Sequence, residues 1–314
     1  MKKPLVVLTG PTSVGKTDLS IRLARQINGE IISADSIQVY RYMDIGSAKI
    51  SPEEMQGITH HLIDEIDPDE EFNVVRFKEL TQKYLDDIYS KNKIPIIVGG
   101  TGFYIQSVLY DIDFTDAVED ISIRRELEEI LDRKGKFFLH QLLADADIES
   151  ARKIHYNNTR RVIRALEFYR LTGNKISEHN SIQQGNASPY NFAYFVLNRD
   201  RRQLYDNIDF RVEKMLKDGL MEEVRHLLEM GYSRDLISMQ GVGYKEMAAY
   251  MDGESSLDET VDLIKKNTRH FAKRQITWFK REKKVIWTNF EDFDNEQDRI
   301  LDFMLKVLQD KEII

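Results

Sequence analysis

Eight residues, Gly10-Pro11-Thr12-Ser13-Val14-Gly15-Lys16-Thr17, follow directly on the apolar run Leu5-Val6-Val7-Leu8 and precede a helix-favouring stretch. Strand, glycine-rich turn and helix start in that order form a cradle for phosphate. The two glycines let backbone N–H groups turn inward, Lys16 reaches phosphate oxygens, and Thr17 offers a hydroxyl to Mg²⁺. A di- or triphosphate is expected here, but the loop alone leaves open whether it is donor, cofactor or leaving group. The surrounding order constrains the fold as strongly as the loop constrains the ligand. Apolar positions Leu19, Ile21, Leu23, Ala24 and Ile27 make a helix closed by Asn28-Gly29, and Glu30-Ile31-Ile32-Ser33 follows as a buried strand. A stripe of Phe77, Leu80, Tyr84, Leu85 and Ile88 then leads into the continuous apolar strand Ile94-Pro95-Ile96-Ile97-Val98. Strands alternating with helices predict a parallel sheet, with ligands beyond the carboxyl ends of its strands, where Gly10, Asp35 and Gly99 to Thr101 lie.

A chain of 314 residues exceeds ordinary single-domain size, so a core plus an insertion is expected. Between about Thr115 and Pro189 the sequence turns charged and helix-favouring, with helices over Ile121 to Lys134 and Asn158 to Leu171 and no convincing strand. A strand returns at Ala193 to Leu197. Helices follow at Asp200 to Lys217, Leu220 to Glu229, Lys245 to Tyr250 and Leu257 to Lys280, then a short strand at Lys284 to Trp287 and a helix near Gln297 to Leu308. The expected fold is α/β: a P-loop NTPase-like parallel sheet flanked by helices, residues 1–114 and 190–314, with an all-helical domain inserted at 115–189. The net charge of −8 argues against indiscriminate coating of nucleic acid, and the lack of cysteine removes disulfides, thiolate catalysis and Cys-ligated zinc. A reducing cytoplasm fits. The apolar stretch after Met1-Lys2-Lys3 is too short for a secretory signal, and no run approaches membrane-spanning length.

Beyond the loop, Asp35 in Ala34-Asp35-Ser36-Ile37-Gln38 could act as general base, bind Mg²⁺, or cap a turn. The Gln38 amide both donates and accepts, which suits an adenine edge, although a lone Gln is more often a surface residue. Three glycines around Thr101 in Gly99-Gly100-Thr101-Gly102 permit close approach of a phosphate or base. The strand before them ends without the Asp that P-loop hydrolases use to hold Mg²⁺, which disfavours a generic NTP hydrolase. Two basic clusters interrupt the acidic background: seven Lys or Arg against one acid from Arg152 to Lys175, and nine against one from Lys265 to Lys284, with Phe271, Trp278 and Phe279 interleaved. Either could contact RNA phosphates with aromatics stacking on bases, or form a solvated helix face over core aromatics. The seven histidines show no ligand spacing for a metal.

Taken together, these segments resemble the bacterial tRNA dimethylallyltransferases, P-loop-fold prenyl transferases that modify the adenosine 3′ to the anticodon. The similarity covers nearly the whole chain. It rests on Gly10 to Thr17, Ile32 to Tyr40, Met43 to Lys49, Gly99 to Tyr104, Arg161 to Glu167, Arg211 to Met215, Gly241 to Glu246 and Ala272 to Phe279. Arg160 stands where many members have Gln, and Phe103 where many have Leu. The resemblance implies dimethylallyl diphosphate as donor, so that Gly10, Pro11, Thr12, Ser13, Val14, Gly15, Lys16 and Thr17 hold a leaving group. Lys16, Thr17 through Mg²⁺, Thr101 and Arg211 would stabilise the departing diphosphate. Asp35 would take the proton from the attacking amine, and Gln38 would orient a flipped base. Implied tRNA contacts are Asp35, Ser36, Ile37, Gln38, Thr101, Arg124, Arg160, Arg161, Val162, Ile163, Arg164, Gly241, Val242, Gly243, Tyr244 and Lys245. The protein is expected to bind the anticodon stem-loop as a monomer. Alternatives are an adenylate isopentenyltransferase acting on free nucleotide, a P-loop nucleotide or small-molecule kinase, and an RNA-binding module with a vestigial nucleotide site.

Overall fold

In the computed structural model, which describes residues 2–113, 121–183 and 185–314, the chain divides into two compact units. One comprises Met1–Val108 with Pro189–Ile314, the other Leu109–Ser188. The expected start of the insertion at Thr115 lies outside the described residues.

The larger unit opens with β1 (Lys3–Thr9), α1 (Lys16–Gln26), β2 (Gly29–Ala34), β3 (His60–His61), α2 (Val74–Ser90), β4 (Ile94–Gly99) and α3 (Gly102–Leu109). Six strands form one sheet in the order β3-β2-β4-β1, continued by β5 (Tyr190–Asn198) and β6 (Val285–Asn289), with every pairing parallel. The apolar strands run unbroken because both faces are covered, and Leu5, Val6, Val7 and Leu8 are fully buried. Leu19 and Leu23 of α1 pack with Phe195 of β5 and with Ile300 and Met304 in a single core.

In this half of the larger unit, two elements depart from the sequence expectation. The strand β3 has two residues and, among the described residues, pairs with β2 alone, too short to carry a periodicity. Helix α3 begins inside the glycine-rich turn, where the Thr101 carbonyl accepts from the Tyr104 and Ile105 N–H groups, and Ile105, Val108 and Leu109 are buried.

The smaller unit contains α4 (Ile121–Ala146), α5 (Ile148–Lys153), α6 (Thr159–Thr172) and α7 (Ile176–Gln183), and no strand among its described residues. The sequence predicts a helix over Ile121 to Lys134; Gly135 interrupts α4 with φ 79°, and helix resumes beyond and runs to Ala146. Leu127, Leu139, Leu143, Val162 and Leu166 form a separate hydrophobic core. Asp147, 1% exposed, ties this unit's helices by accepting from Ser150 and Ser177.

The second half of the larger unit adds α8 (Arg201–Lys217), α9 (Leu220–Glu229), α10 (Tyr244–Met251), α11 (Leu257–Phe279) and α12 (Gln297–Asp310). A capping box of Ser256 and Glu259 starts α11. No helix among the described residues is long and apolar enough to cross a membrane.

Candidate active site

Strand register brings the site together. Thr9 of β1 and Ala34 of β2 both pair with Gly99 of β4, so the three chains leave the sheet at one level and deliver Gly10, Asp35 and Gly100 side by side. The close approach needs glycine. At Gly10 φ is 149°, and a Cβ would lie 2.5 Å from the Leu197 carbonyl oxygen; at Gly100 it would lie 2.1 Å from Gln275 Nε2.

Lys16 folds back over its own loop and donates to the carbonyls of Gly10 at 3.0 Å and Pro11 at 2.9 Å. Burial, then the neighbouring Arg211 guanidinium, pull its pKa down to about 7, with Asp35 opposing them. Arg211, from α8, donates to Thr12 Oγ1 at 3.2 Å and to the Ser47 carbonyl at 3.4 Å; burial lowers its pKa as well, and Asp35 again opposes. Two desolvated cations facing one carboxylate make a pocket short of negative charge. The buried Ser13 hydroxyl has no hydrogen-bond partner among the described residues. A diphosphate would supply both the charge and an acceptor.

Asp35 performs the turn role: its Oδ1 accepts from the Ile37 N–H at 2.9 Å and the Gln38 N–H at 3.4 Å. Its Oδ2 makes no hydrogen bond among the described residues, so the turn fixes the carboxylate and leaves an oxygen for chemistry. Thr101 is half-buried at the N-terminus of α3, its N–H donating to the Ala34 carbonyl at 3.2 Å. Thr17 is exposed in the first turn of α1, and its hydroxyl makes no hydrogen bond among the described residues.

Several residues expected to contact RNA have internal partners. Gln38 uses both ends of its amide internally, accepting from Ser33 at 3.2 Å and donating to the Ser47 and Ala48 carbonyls at 3.3 and 3.2 Å. Tyr244 is fully buried. Its hydroxyl donates to Glu223 at 2.8 Å and accepts from the Ser47 N–H, while the Glu223 carboxylate gathers the N–H groups of Asp44, Ile45 and Gly46. Val162 and Ile163 belong to the helical unit's core. Arg124 pairs at 2.9 Å with Glu167, which is 4% exposed. By contrast Arg160, Arg161, Arg164 and Lys245 are exposed, Ser36, Ile37, Gly241 and Val242 are half-buried, and Gly243 is buried. In the second basic cluster, Lys265 and Arg269 pair with Glu213 and Asp209 of α8, and Phe279 is core, whereas Lys273 and Arg274 are exposed.

The residues that sequence reasoning missed are supports of the loop. Gln275, 7% exposed on α11, accepts from the Thr12 N–H at 2.9 Å and donates to the Gly100 carbonyl at 3.1 Å, clamping the phosphate loop to the Thr101 turn. Its signal was a polar residue within the buried stripe Ala272, Gln275, Phe279. Arg199 donates to the Val14 carbonyl at 3.0 Å and stacks 3.5 Å over Phe290; it follows β5 directly, so the strand-end rule that found Asp35 would have found it. Asn207 donates to the Ser13 carbonyl at 3.3 Å. Outside the site, Glu30, His61 and Asp87 come within ligand distance of one another, but Lys91 and Lys93 already pair with Glu30, so the group is a charge cluster.

The model of the IPP transferase family matches residues 38–282. Over 312 residues, 99% of both chains, the protein is 61% identical to the tRNA dimethylallyltransferase of Lachnoclostridium phytofermentans. It is 50% identical over 293 residues, 93% of this chain and 94% of the other, to that of Acetivibrio thermocellus. The solved tRNA isopentenylpyrophosphate transferase of Bacillus halodurans superposes with a TM-score of 0.74 at 43% identity, covering 99% of this chain and 98% of that one. A eukaryotic dimethylallyltransferase acting on tRNA reaches a TM-score of 0.79 at 30% identity, over 91% of this chain and 74% of its own. Matched by the family model over residues 38–282 and by relatives over nearly its full length, the chain belongs to the IPP transferase family.

Proposed function

We propose that this protein transfers a dimethylallyl group from dimethylallyl diphosphate to the N6 amine of the adenosine 3′ to the anticodon in tRNA, releasing diphosphate. The observation that carries this reading is the meeting of Lys16, Arg211 and Asp35 at the carboxyl edge of the sheet, with two cations and one carboxylate electrostatically coupled. Lys16 and Arg211 stabilise the charge that grows on the leaving diphosphate as the carbon–oxygen bond breaks. The adenine amine is a weak nucleophile because its lone pair is delocalised. Asp35 Oδ2 takes its proton as the carbon–nitrogen bond forms, held in place by the turn at Oδ1. Gln275 keeps the diphosphate loop and the Thr101 turn at a fixed spacing.

The donor set suits Mg²⁺, which keeps several waters and takes few protein oxygens when phosphates supply the others. Thr17 Oγ1 would hold it, and when bound it would neutralise diphosphate oxygens as a Lewis acid. On the helical unit, exposed Arg160, Arg161 and Arg164 would contact phosphates of the anticodon stem-loop.

The test is an incubation of the protein with Mg²⁺, labelled dimethylallyl diphosphate and either unmodified tRNA or AMP, followed by nucleoside analysis. Label on tRNA adenosine is expected, and its loss in Asp35→Ala with tRNA affinity retained. Label on AMP alone would indicate the nucleotide enzyme, and phosphoryl transfer from ATP a kinase.

A further inference from the structure

The helical unit carries a column of aromatic rings that its core does not use. His155 and Tyr156 stack with centroids 4.1 Å apart and planes 32° from parallel, and Tyr156 continues onto Phe137 at 4.3 Å and 36°. Phe137 is 65% exposed, and neighbouring Phe138 is 39% exposed. None of these rings joins the unit's hydrophobic core. Cations attend them: Lys136 lies 5.3 Å from the Tyr156 centroid and 5.7 Å from that of Phe137, and Lys134 lies 4.4 Å from Phe138. Lys136 also donates to Asn157 at 2.6 Å, which fixes the α4 side of the column to the turn before α6.

Charge identifies the occupant. Residues 133–144 and 150–166, the two segments that build the column, contain eight Lys or Arg and no Asp or Glu, in a chain whose net charge is −8. Arg133 and Arg152 are paired with Glu129 and Glu149, whereas Lys153, Arg160, Arg161 and Arg164 carry no ion pair among the described residues. Helix α6 starts three residues after Tyr156, so its arginines follow the rings directly. Stackable rings bordered by unpaired cations are the chemistry of single-stranded nucleic-acid binding, in which every base offers a flat face and every nucleotide a phosphate. A peptide partner would not need a polyanion's complement.

We propose that the open face of Phe137, backed by Tyr156 and His155, is a stacking site for an unpaired nucleotide of the RNA, with the flanking cations on its phosphates. The inference rests on the tRNA reading above and adds to it a base contact within the helical unit. The loop of the stem-loop, not its duplex, is the element that fits.

Phe137→Ala in the full-length enzyme tests it. Because the side chain is largely in solvent, the thermal midpoint should not move. Binding to an anticodon stem-loop RNA should weaken about 5- to 100-fold, the usual effect of removing one stacking aromatic. The slope of log affinity against log salt should stay unchanged, since every cation that faces a phosphate is still in place. Binding to the same stem closed as a blunt duplex should not change, and Ile182→Ala, which removes another exposed apolar side chain of this unit, should leave stem-loop affinity at the wild-type value. Stem-loop affinity within twofold of wild type in Phe137→Ala would overturn the proposal while wild-type prenylation of tRNA kept the functional reading intact. An equal loss on stem-loop and duplex would overturn it too, as would a loss of self-association in sedimentation in place of a loss of RNA binding. Failure of the wild-type enzyme to modify tRNA would instead remove the reading on which the proposal rests.

Discussion

At the scale of single residues, the site is built from groups held away from their ordinary state. Burial and the Arg211 guanidinium pull the Lys16 pKa down to about 7. Its folded value lies below the ordinary 10.5, so the unliganded protein bears the full cost of its charge below about pH 7 and is relieved of it as pH rises toward 10.5. A bound diphosphate would reverse this by restoring the proton. Calorimetry with inorganic pyrophosphate at pH 8 in buffers of different ionisation enthalpy should therefore show proton uptake that Lys16→Ala abolishes; equal uptake in both proteins would exclude the linkage. Gln275 invites a second test, because its two hydrogen bonds have opposite polarity. Gln275→Glu still accepts from Thr12 but sets a carboxylate against the Gly100 carbonyl and near the diphosphate, so the KM for donor should rise about 10- to 100-fold. A change in kcat alone would point away from the donor loop. The sequence made Asp35 legible because its place after a strand is a local rule, whereas Gln275 is separated from Thr12 by 263 positions, and no local pattern predicts that pairing.

At the scale of elements, what joins the edge of the sheet to its neighbours is electrostatic. Glu30 on β2 is 2% exposed and receives His61 of β3 at 2.8 Å, Lys93 at 2.8 Å and Lys91 at 3.3 Å. Burial would raise its pKa, but the hydrogen bonds from Lys93, His61 and Lys91 overcome burial and bring it to about 2. A folded value below the ordinary 4.5 means stabilisation that is complete above about pH 4.5 and is lost as pH falls toward 2. Glu30→Gln should accordingly cost about 3 kcal/mol in urea unfolding at pH 7, and its deficit relative to wild type should narrow steadily below pH 4.5. A deficit independent of pH would show that the loss is one of packing. The tie also explains why β3 escaped a reading by periodicity: a strand of two residues owes its place to one buried carboxylate and to pairing with β2, neither of which repeats along the chain.

At the scale of the whole molecule, alternation of strands and helices sufficed to foretell a parallel sheet, because strands buried on both faces must be apolar throughout and helices must cover them. The residues proposed to bind RNA were less legible. Residues 160–164 read as one motif, yet a helix presents its side chains around a full turn, so Val162 and Ile163 go inward while Arg161 and Arg164 go outward. Each unit has its own core, so the two proposed binding functions should be separable by substitution. Arg161→Ala with Arg164→Ala should weaken tRNA binding and reduce the magnitude of the salt slope by about one for each phosphate left without its arginine. The same variant should keep the full rise in thermal midpoint produced by pyrophosphate with Mg²⁺, since that rise reports only on the loop at Gly10 to Thr17. Lys16→Ala should do the converse, losing the pyrophosphate-induced rise while keeping the wild-type salt slope for tRNA. An unchanged salt slope in the arginine variant would remove the helical unit from phosphate binding, and loss of both responses in either variant would show that the two units bind as one.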